Sequence, residues 1–339
     1  MRWVSINDLQ NFFPSKFHAV VFVAYMGLFI NQGILVTSTK NKENHYPYNP
    51  TTTVLLSEFL KLLVSSFLFM KENSFSGFVD GIKKHRKVLL LYFVPAFLYC
   101  LYNNLTFVNL EAYDPTSYYL LLQFRVVVTG IIYQVLFNKK LSRIQWISLL
   151  LLTLGCVIKQ LNFNKLSTVS FSININLALI MVQVFCSCFA GVYNEYLLKG
   201  NSGDVPFMLQ NVFMYTDSVV SNVMVLGFTG HLQSAMTSSS ISSILQIKVI
   251  CIIVNNAAIG IVTALFLRSL NSILKTFASA LELMFTAVLA WILFGIAVNL
   301  FTVIAIAIVS FATLLYAQNP VDNAPKVEGT QSKKIPATV

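Results

Sequence analysis

The stretch DPTSYYLLLQFRVVVTGIIYQVLFN, residues 114–138, decides how this chain is read. Between Thr116 and Phe137 it holds one charged residue, Arg125, in an otherwise apolar run of about 20 residues, the length that crosses a bilayer as an α-helix. A short elbow containing Asp114 and Pro115 precedes the run, and Lys139-Lys140 follow it. A charge in a spanning helix is costly unless it is paired or hydrated, so Arg125 marks a site as well as a span.

The pattern recurs, because residues 114–138 align without a gap on 271–295. Asp114 falls on Asn271, Tyr118 on Lys275, Arg125 on Glu282 and Thr129 on Thr286, and Leu136-Phe137 falls on Leu293-Phe294. Literal identities are few, but the arrangement of elbow, polar position and charged position is the same. Around these two segments the apolar runs predict ten transmembrane helices, at 17–37, 51–70, 88–108, 116–137, 142–160, 174–194, 206–229, 246–267, 273–294 and 296–316. The expected fold is an all-α integral membrane protein whose ten transmembrane helices form two inverted five-helix repeats. Residues 17–160 make the first repeat and 161–316 the second, flanked by a 1–16 N-terminal segment and a 317–339 tail. A duplicated five-helix unit fits a transporter better than a seven-helix receptor. The longest expected loops are 71–87 and the Ser-rich 230–245.

Composition agrees. Of 339 residues 56% are hydrophobic and only 11% charged, with mean hydropathy +0.70; soluble domains carry about 25% charged residues. No alternating strand pattern calls for a β-barrel. The net charge of +10 is not gathered into a basic run on a soluble fold, so it points to positive-inside loops and not to nucleic acid. With the N-terminus in the cytosol, only Lys40, Lys42, Lys159, Lys165 and Lys248 fall on the far side. Lys61, Arg125 and Lys275 fall within spans, and the rest of the 23 basic residues are cytosolic. An even helix number with both termini cytosolic follows. Residues 1–16 are polar and no small-residue cleavage site follows the first apolar run, so no cleaved leader is expected.

Cys100, Cys156, Cys186, Cys188 and Cys251 lie in apolar segments without zinc or CxxC spacing and read as packing residues. His18, His45, His85 and His231 are scattered, and no nucleophile elbow, HExxH or ATP-binding loop is present, so neither catalysis, a metal, a cofactor nor a primary pump is expected. The sequon Asn104-Leu-Thr106 lies within a predicted span and is discounted.

Six charged residues fall inside spans: Glu58, Lys61, Arg125, Asp217, Lys275 and Glu282. Glu58 and Lys61, three apart, can neutralise each other on one helix face. Arg125 and Lys275 have no acid three or four residues away, and two such cations on repeat-related helices suit an anion such as phosphate. The competing reading is an internal salt bridge with Glu282 or Asp217. Tyr99, Tyr102, Asn103 and Asn104 on the third span, with Tyr118, Tyr119 and Gln123 on the fourth, offer stacking faces and amide edges for a base. Helix–helix glue is the alternative for each.

The run PAFLYCLYNNLTF, residues 95–107, resembles the helix 3 signature of the nucleotide-sugar transporters, members of the drug/metabolite transporter superfamily. Similarity continues through Tyr118–Arg125, LSRIQWI (141–147), GVYNEYLLK (191–199), QNVFMY (210–215) and NSILKTF (271–277), and spans roughly residues 17–318 in order. The resemblance implies a central cavity and antiport across the Golgi membrane, with the endoplasmic reticulum as the alternative. The cargo implied is a UDP-sugar, UDP-galactose first, exchanged for UMP by alternating access. UDP-N-acetylglucosamine and CMP- or CDP-linked sugars are the other candidates. Tyr99, Asn103, Asn104, Tyr118, Gln123, Gly191, Tyr193, Asn211 and Tyr215 would contact the substrate, Arg125 and Lys275 the phosphates, and Glu58, Lys61, Asp217 and Glu282 would be structural or gating charges. A second copy of the chain and glycosyltransferases are the candidate protein partners. Many relatives, such as CMP-sialic acid carriers, have Lys where this chain has Arg125, so their substrate preference does not carry over. A membrane-embedded sugar transferase is the rival from another class; its nearest acidic pair would be Glu111 and Asp114.

Epitope tags at both termini are expected to be protease-accessible from the cytosolic face of sealed vesicles. A protected C-terminal tag would overturn the even helix count.

Overall fold

The structure is a computed structural model and describes residues 13, 15–39, 48–112, 115–160, 175–200, 204–228, 230, 237, 242–295 and 298–321. Most of the predicted N-terminal segment, the tail with Lys333-Lys334, Asp114, and the loop positions Lys40, Lys42, His45, Lys165 and His231 lie outside the described residues.

Each predicted span overlaps helix in its described residues. The helices are α1 (Lys16–Thr39), α2 (Pro50–Glu72), α3 (Phe75–Lys84), α4 (Arg86–Ala112), α5 (Pro115–Leu122) and α6 (Arg125–Phe137). They continue as α7 (Arg143–Gln160), α8 (Ile175–Lys199), α9 (Phe207–Phe228), α10 (Ile247–Ser269), α11 (Ser272–Phe294) and α12 (Leu300–Ala317). Among the described residues, eight spans are long and apolar enough to cross a membrane: α1, α2, α4, α5–α6 together, α8, α10, α11 and α12. α7 and α9, of 18 and 22 residues, pack among them.

Local chemistry sets the helix ends. Asn49 accepts from the backbone N–H groups of Thr51 and Thr52 ahead of Pro50, and Asn271 and Asn299 cap α11 and α12 in the same way. Ser142 and Gln145 form a reciprocal capping box: the Ser142 N–H donates to Gln145 Oε1 at 2.8 Å, and the Gln145 N–H to Ser142 Oγ at 3.3 Å. Gln145 Nε2 also donates to the Asn319 carbonyl, tying the start of α7 to the end of α12.

Two features differ from the sequence expectation. The expected loop 71–87 contains α3, which Ser74 caps and which turns Phe78 and Ile82 towards Phe69 and Leu209. At 10 residues it is too short for a span-length pattern to reveal. The span expected at 116–137 is broken at Gln123–Phe124. Gln123 Nε2 donates to the Tyr119 carbonyl at 2.9 Å, taking the acceptor that its own N–H would use in a regular helix. The backbone N–H groups of Gln123, Phe124 and Val126 bond instead to the carbonyls of Leu120, Leu121 and Gln123, three residues back. Irregular backbone at this depth is tolerated where it lines a cavity or is buried in protein.

The two halves interleave. α4 packs on α8 and α9, α1 on α10 and α11, α2 on α9 and α10, α6 on α8, and α7 on α12. Exchanging the helices before residue 160 for their counterparts after it maps α4–α8 onto α10–α1, α4–α9 onto α10–α2, and α6–α8 onto α11–α1. α2–α9 and α7–α12 each map onto themselves. The faces turned outward are apolar, as at Val135, Ile247 and Phe228, whereas Ser65, Gln183 and Glu195 are fully enclosed. That distribution suits a lipid surround.

The α7–α12 contact depends on a glycine. A Cβ on Gly155 would stand 2.7 Å from Val309 Cγ2 and 3.3 Å from the Val309 backbone nitrogen, so the two backbones approach because no side chain intervenes. Gly155→Ala is expected to destabilise the purified protein by about 1–3 kcal/mol, read as a lower melting temperature in detergent. Gly27→Ala, where a Cβ meets nothing within 4 Å, is the control and should be neutral or stabilising. Equal melting temperatures for the two variants would contradict the close α7–α12 packing.

Candidate functional site

The break before Arg125 opens onto a cavity of about 100 Å³ enclosed by α6, α7, α8 and α11. Gln123, Arg125, Val126 and Thr129 form one wall, Cys156, Ser187, Cys188, Gly191 and Val192 another, and Ser272, Lys275, Thr276, Ser279 and Ala280 the third. Arg125 begins α6, and Lys275 lies one turn into α11. The structure thus brings together the two cations that the sequence singled out.

Their surroundings fix what they can bind. The ion pairs between described residues are Glu58–Lys61, at 2.6 Å, and Glu195–Lys199, at 2.8 Å; Arg125 and Lys275 take part in neither. The Glu282 carboxylate faces Thr286 Oγ1 at 3.4 Å, and Asp217 is buried on α9 with Oδ2 lacking a partner among the described residues. Cys188 Sγ donates to the Arg125 carbonyl at 3.2 Å and anchors the break against α8. Hydroxyls complete the lining, with Ser279 Oγ 3.1 Å from Tyr25 OH. Two positive charges and several hydroxyls gather here, and the carboxylate beside them, Glu195, is paired to Lys199 and bonded to Ser272; guanidinium and ammonium groups both suit phosphate oxygens.

The other predicted contacts are distributed unevenly. Gly191 lines the cavity, and Tyr99 OH lies 3.4 Å from where a Gly191 Cβ would stand, which places Tyr99 at the cavity's edge. Asn103 is exposed, and on α4 it lies within roughly 20° of the buried Tyr92 and Ala96, on the inward side of the helix. Gln123 is 3% exposed, with its amide nitrogen committed to Tyr119. Asn104 is turned aside, donating to the Cys100 carbonyl at 2.8 Å. Tyr118 is also off the cavity: its OH accepts from Gln183 Nε2 at 2.9 Å, in a cluster where Gln183 also donates to Thr106 Oγ1 and accepts from Asn109. Tyr193 points away as well. It stacks on Phe189 with ring centroids 5.5 Å apart, because it lies about 200° around α8 from Gly191.

Asn211 and Tyr215 are buried one turn apart on α9 and are not among the residues that line the cavity. Lys61 Nζ lies 5.5 Å from the centre of the Tyr215 ring while paired to Glu58, and its stem crosses α10 over Gly260, where a Cβ would stand 2.6 Å from Lys61 Cδ. Sequence reasoning missed Glu195, Ser272 and Gln183. The Glu195-Lys199 spacing, one helical turn inside a quoted motif, was the available signal for the first.

Comparison with known proteins bears on the fold and the family. A solved crystal structure superposes with a TM-score of 0.62 over 89% of this chain and 96% of its own, at 12% identity, a likeness of fold alone. The UDP-galactose transporter senju of Drosophila melanogaster is 50% identical over 351 residues, covering 94% of this chain and 90% of that protein. CMP-sialic acid transporter 1 of Oryza sativa is 28% identical, covering 89% of this chain and 95% of its own. UDP-galactose translocator 1 of Caenorhabditis elegans is also 28% identical, covering 79% and 78%. The profile of the nucleotide-sugar transporter family matches residues 16–317, a stretch that contains every helix around the two cations, and the chain belongs to that family.

Proposed function

We propose that the chain is a Golgi antiporter that imports a UDP-sugar, UDP-galactose first, in exchange for UMP. Ten transmembrane helices in two inverted halves would expose one site to each side in turn, with both termini cytosolic. The observation that carries this reading is the convergence of Arg125 and Lys275 on one cavity with no ion-pair partner among the described residues. The diphosphate of the substrate lies between them, and the nucleoside runs along α8 past Gly191 towards Tyr99 and Asn103. Galactose as the sugar rests on the names of the Drosophila and Caenorhabditis relatives. A CMP-linked sugar is the second reading, favoured by the rice relative.

The energetics give exchange. Each desolvated cation costs several kcal/mol when empty, and bound phosphate offsets that cost, so the loaded carrier reorients more readily than the empty one. A cavity of about 100 Å³ is smaller than the roughly 300–1,000 Å³ of typical ligand sites, so helices part to admit the whole substrate. Tyr118, Asn104, Asn211 and Tyr215, engaged elsewhere in this conformation, would join the ligand as they part.

Proteoliposomes preloaded with UMP and offered labelled UDP-galactose, UDP-N-acetylglucosamine and CMP-sialic acid test the assignment. UDP-galactose uptake should exceed the others and stop when internal UMP is omitted. Lys275→Ala and Arg125→Ala should each cut exchange by at least about tenfold, the loss of one charge-assisted contact of roughly 1.5–3 kcal/mol. Wild-type rates in Lys275→Ala would refute the site.

A further inference from the structure

Glu195 is fully buried, near the cavity but not among the residues that line it. Oε1 pairs with Lys199 Nζ at 2.8 Å, one turn along α8. Oε2 accepts from both the backbone N–H and the hydroxyl of Ser272, each at 2.6 Å. Lys199 in turn donates to the Leu270 carbonyl. Leu270 and Asn271 form the elbow between α10 and α11. The end of α8 therefore grips that elbow on both sides, with a cation on its carbonyl and a carboxylate on its amide.

The grip bears on the anion site. Ser272 is the first residue of α11, and Lys275 lies three residues further, on the same helix face. The Ser272 N–H is one of the donors that a helix start leaves without an intrahelical acceptor. Asn271 takes the Leu274 N–H at 2.7 Å, and Glu195 takes that of Ser272. A carboxylate here also matches the positive end of the helix dipole. Lys199 balances the Glu195 charge, leaving the Lys275 ammonium for the ligand.

We infer that Glu195 is a positioning residue for nucleotide phosphate. By holding Ser272 it fixes the height and rotation of α11, so that Lys275 meets the phosphate oxygens. The inference rests on the proposed phosphate site at Lys275 and is tested against it.

UMP affinity and inhibition by uridine, which has no phosphate, would be measured on the full-length protein in proteoliposomes. The variants are Lys275→Ala, Glu195→Gln, their combination, and the charge swap E195K/K199E. Glu195→Gln is expected to weaken UMP about tenfold and leave uridine inhibition unchanged. The double variant should be no worse than Lys275→Ala alone, because both act through one ammonium group. The swap restores an ion pair but cannot accept the Ser272 N–H, so UMP binding should stay weak. Recovery of wild-type affinity in the swap, equal losses for UMP and uridine, or multiplying losses in the double variant would overturn the inference. If Glu195→Gln does not fold, Glu195→Asp keeps the charge with a shorter reach. It should weaken UMP selectively, and unchanged UMP affinity there would also overturn the inference. Wild-type UMP affinity in Lys275→Ala would refute the phosphate site itself, whereas loss there beside unaffected Glu195 variants would refute only the positioning role.

Discussion

Two cations held among helices with no ion-pair partner among the described residues are the constraint on which the rest of the structure depends. In a low-dielectric interior an isolated charge is tolerated only when something compensates it, and removing one member of a compensated set is expensive. Three acids of the helices have other engagements: Glu58 holds Lys61, Glu195 holds Lys199 and Ser272, and Glu282 faces Thr286. On the proposed function, compensation for Arg125 and Lys275 comes from outside the protein, from an anionic cargo. That requirement joins the architecture to transport, because the empty site is the costly one to move.

α8 is the member that organises the cavity. Near one end Gln183 gathers Thr106, Asn109 and Tyr118 from α4 and α5, and near the other Glu195 and Lys199 grip the α10–α11 elbow. Between these two buried polar clusters lie Ser187, Cys188, Gly191 and Val192, which line the cavity. Each cluster fastens α8 to a different set of helices, so a rearrangement that opens one side of the cavity can loosen one cluster and keep the other. Gly155 and Gly260 serve the same framework differently, by letting Val309 and the Lys61 stem come close where a side chain would intervene.

Much of this was legible in the sequence. Apolar runs located the eight described segments long and apolar enough to span, since lipid demands continuous apolar length and leaves little room for other solutions. Arg125 and Lys275 stood out because charges are rare in such runs, and their convergence followed from the correspondence of 114–138 with 271–295. The break at Gln123–Phe124 was not legible: it depends on one side-chain amide capturing one carbonyl, and neither Pro nor Gly marks it. The short helix α3 fell below the length at which a span pattern speaks. Tyr118, Asn104 and Tyr193 were expected at the substrate, and their present partners depend on helix rotation and on Gln183, Cys100 and Phe189 from distant or neighbouring turns. Glu195 escaped the sequence reading because its spacing from Lys199 offers at most a helical ion pair, while its grip on Ser272 depends on α11 being in place.

The measurement that bears most directly on the account is a structure of the chain with UMP bound. The account places the phosphate between the Arg125 guanidinium and the Lys275 ammonium, with both in hydrogen-bonding contact. Phosphate density beside Lys61 and Tyr215, with Arg125 and Lys275 bare or paired to Glu282 or Asp217, would contradict it.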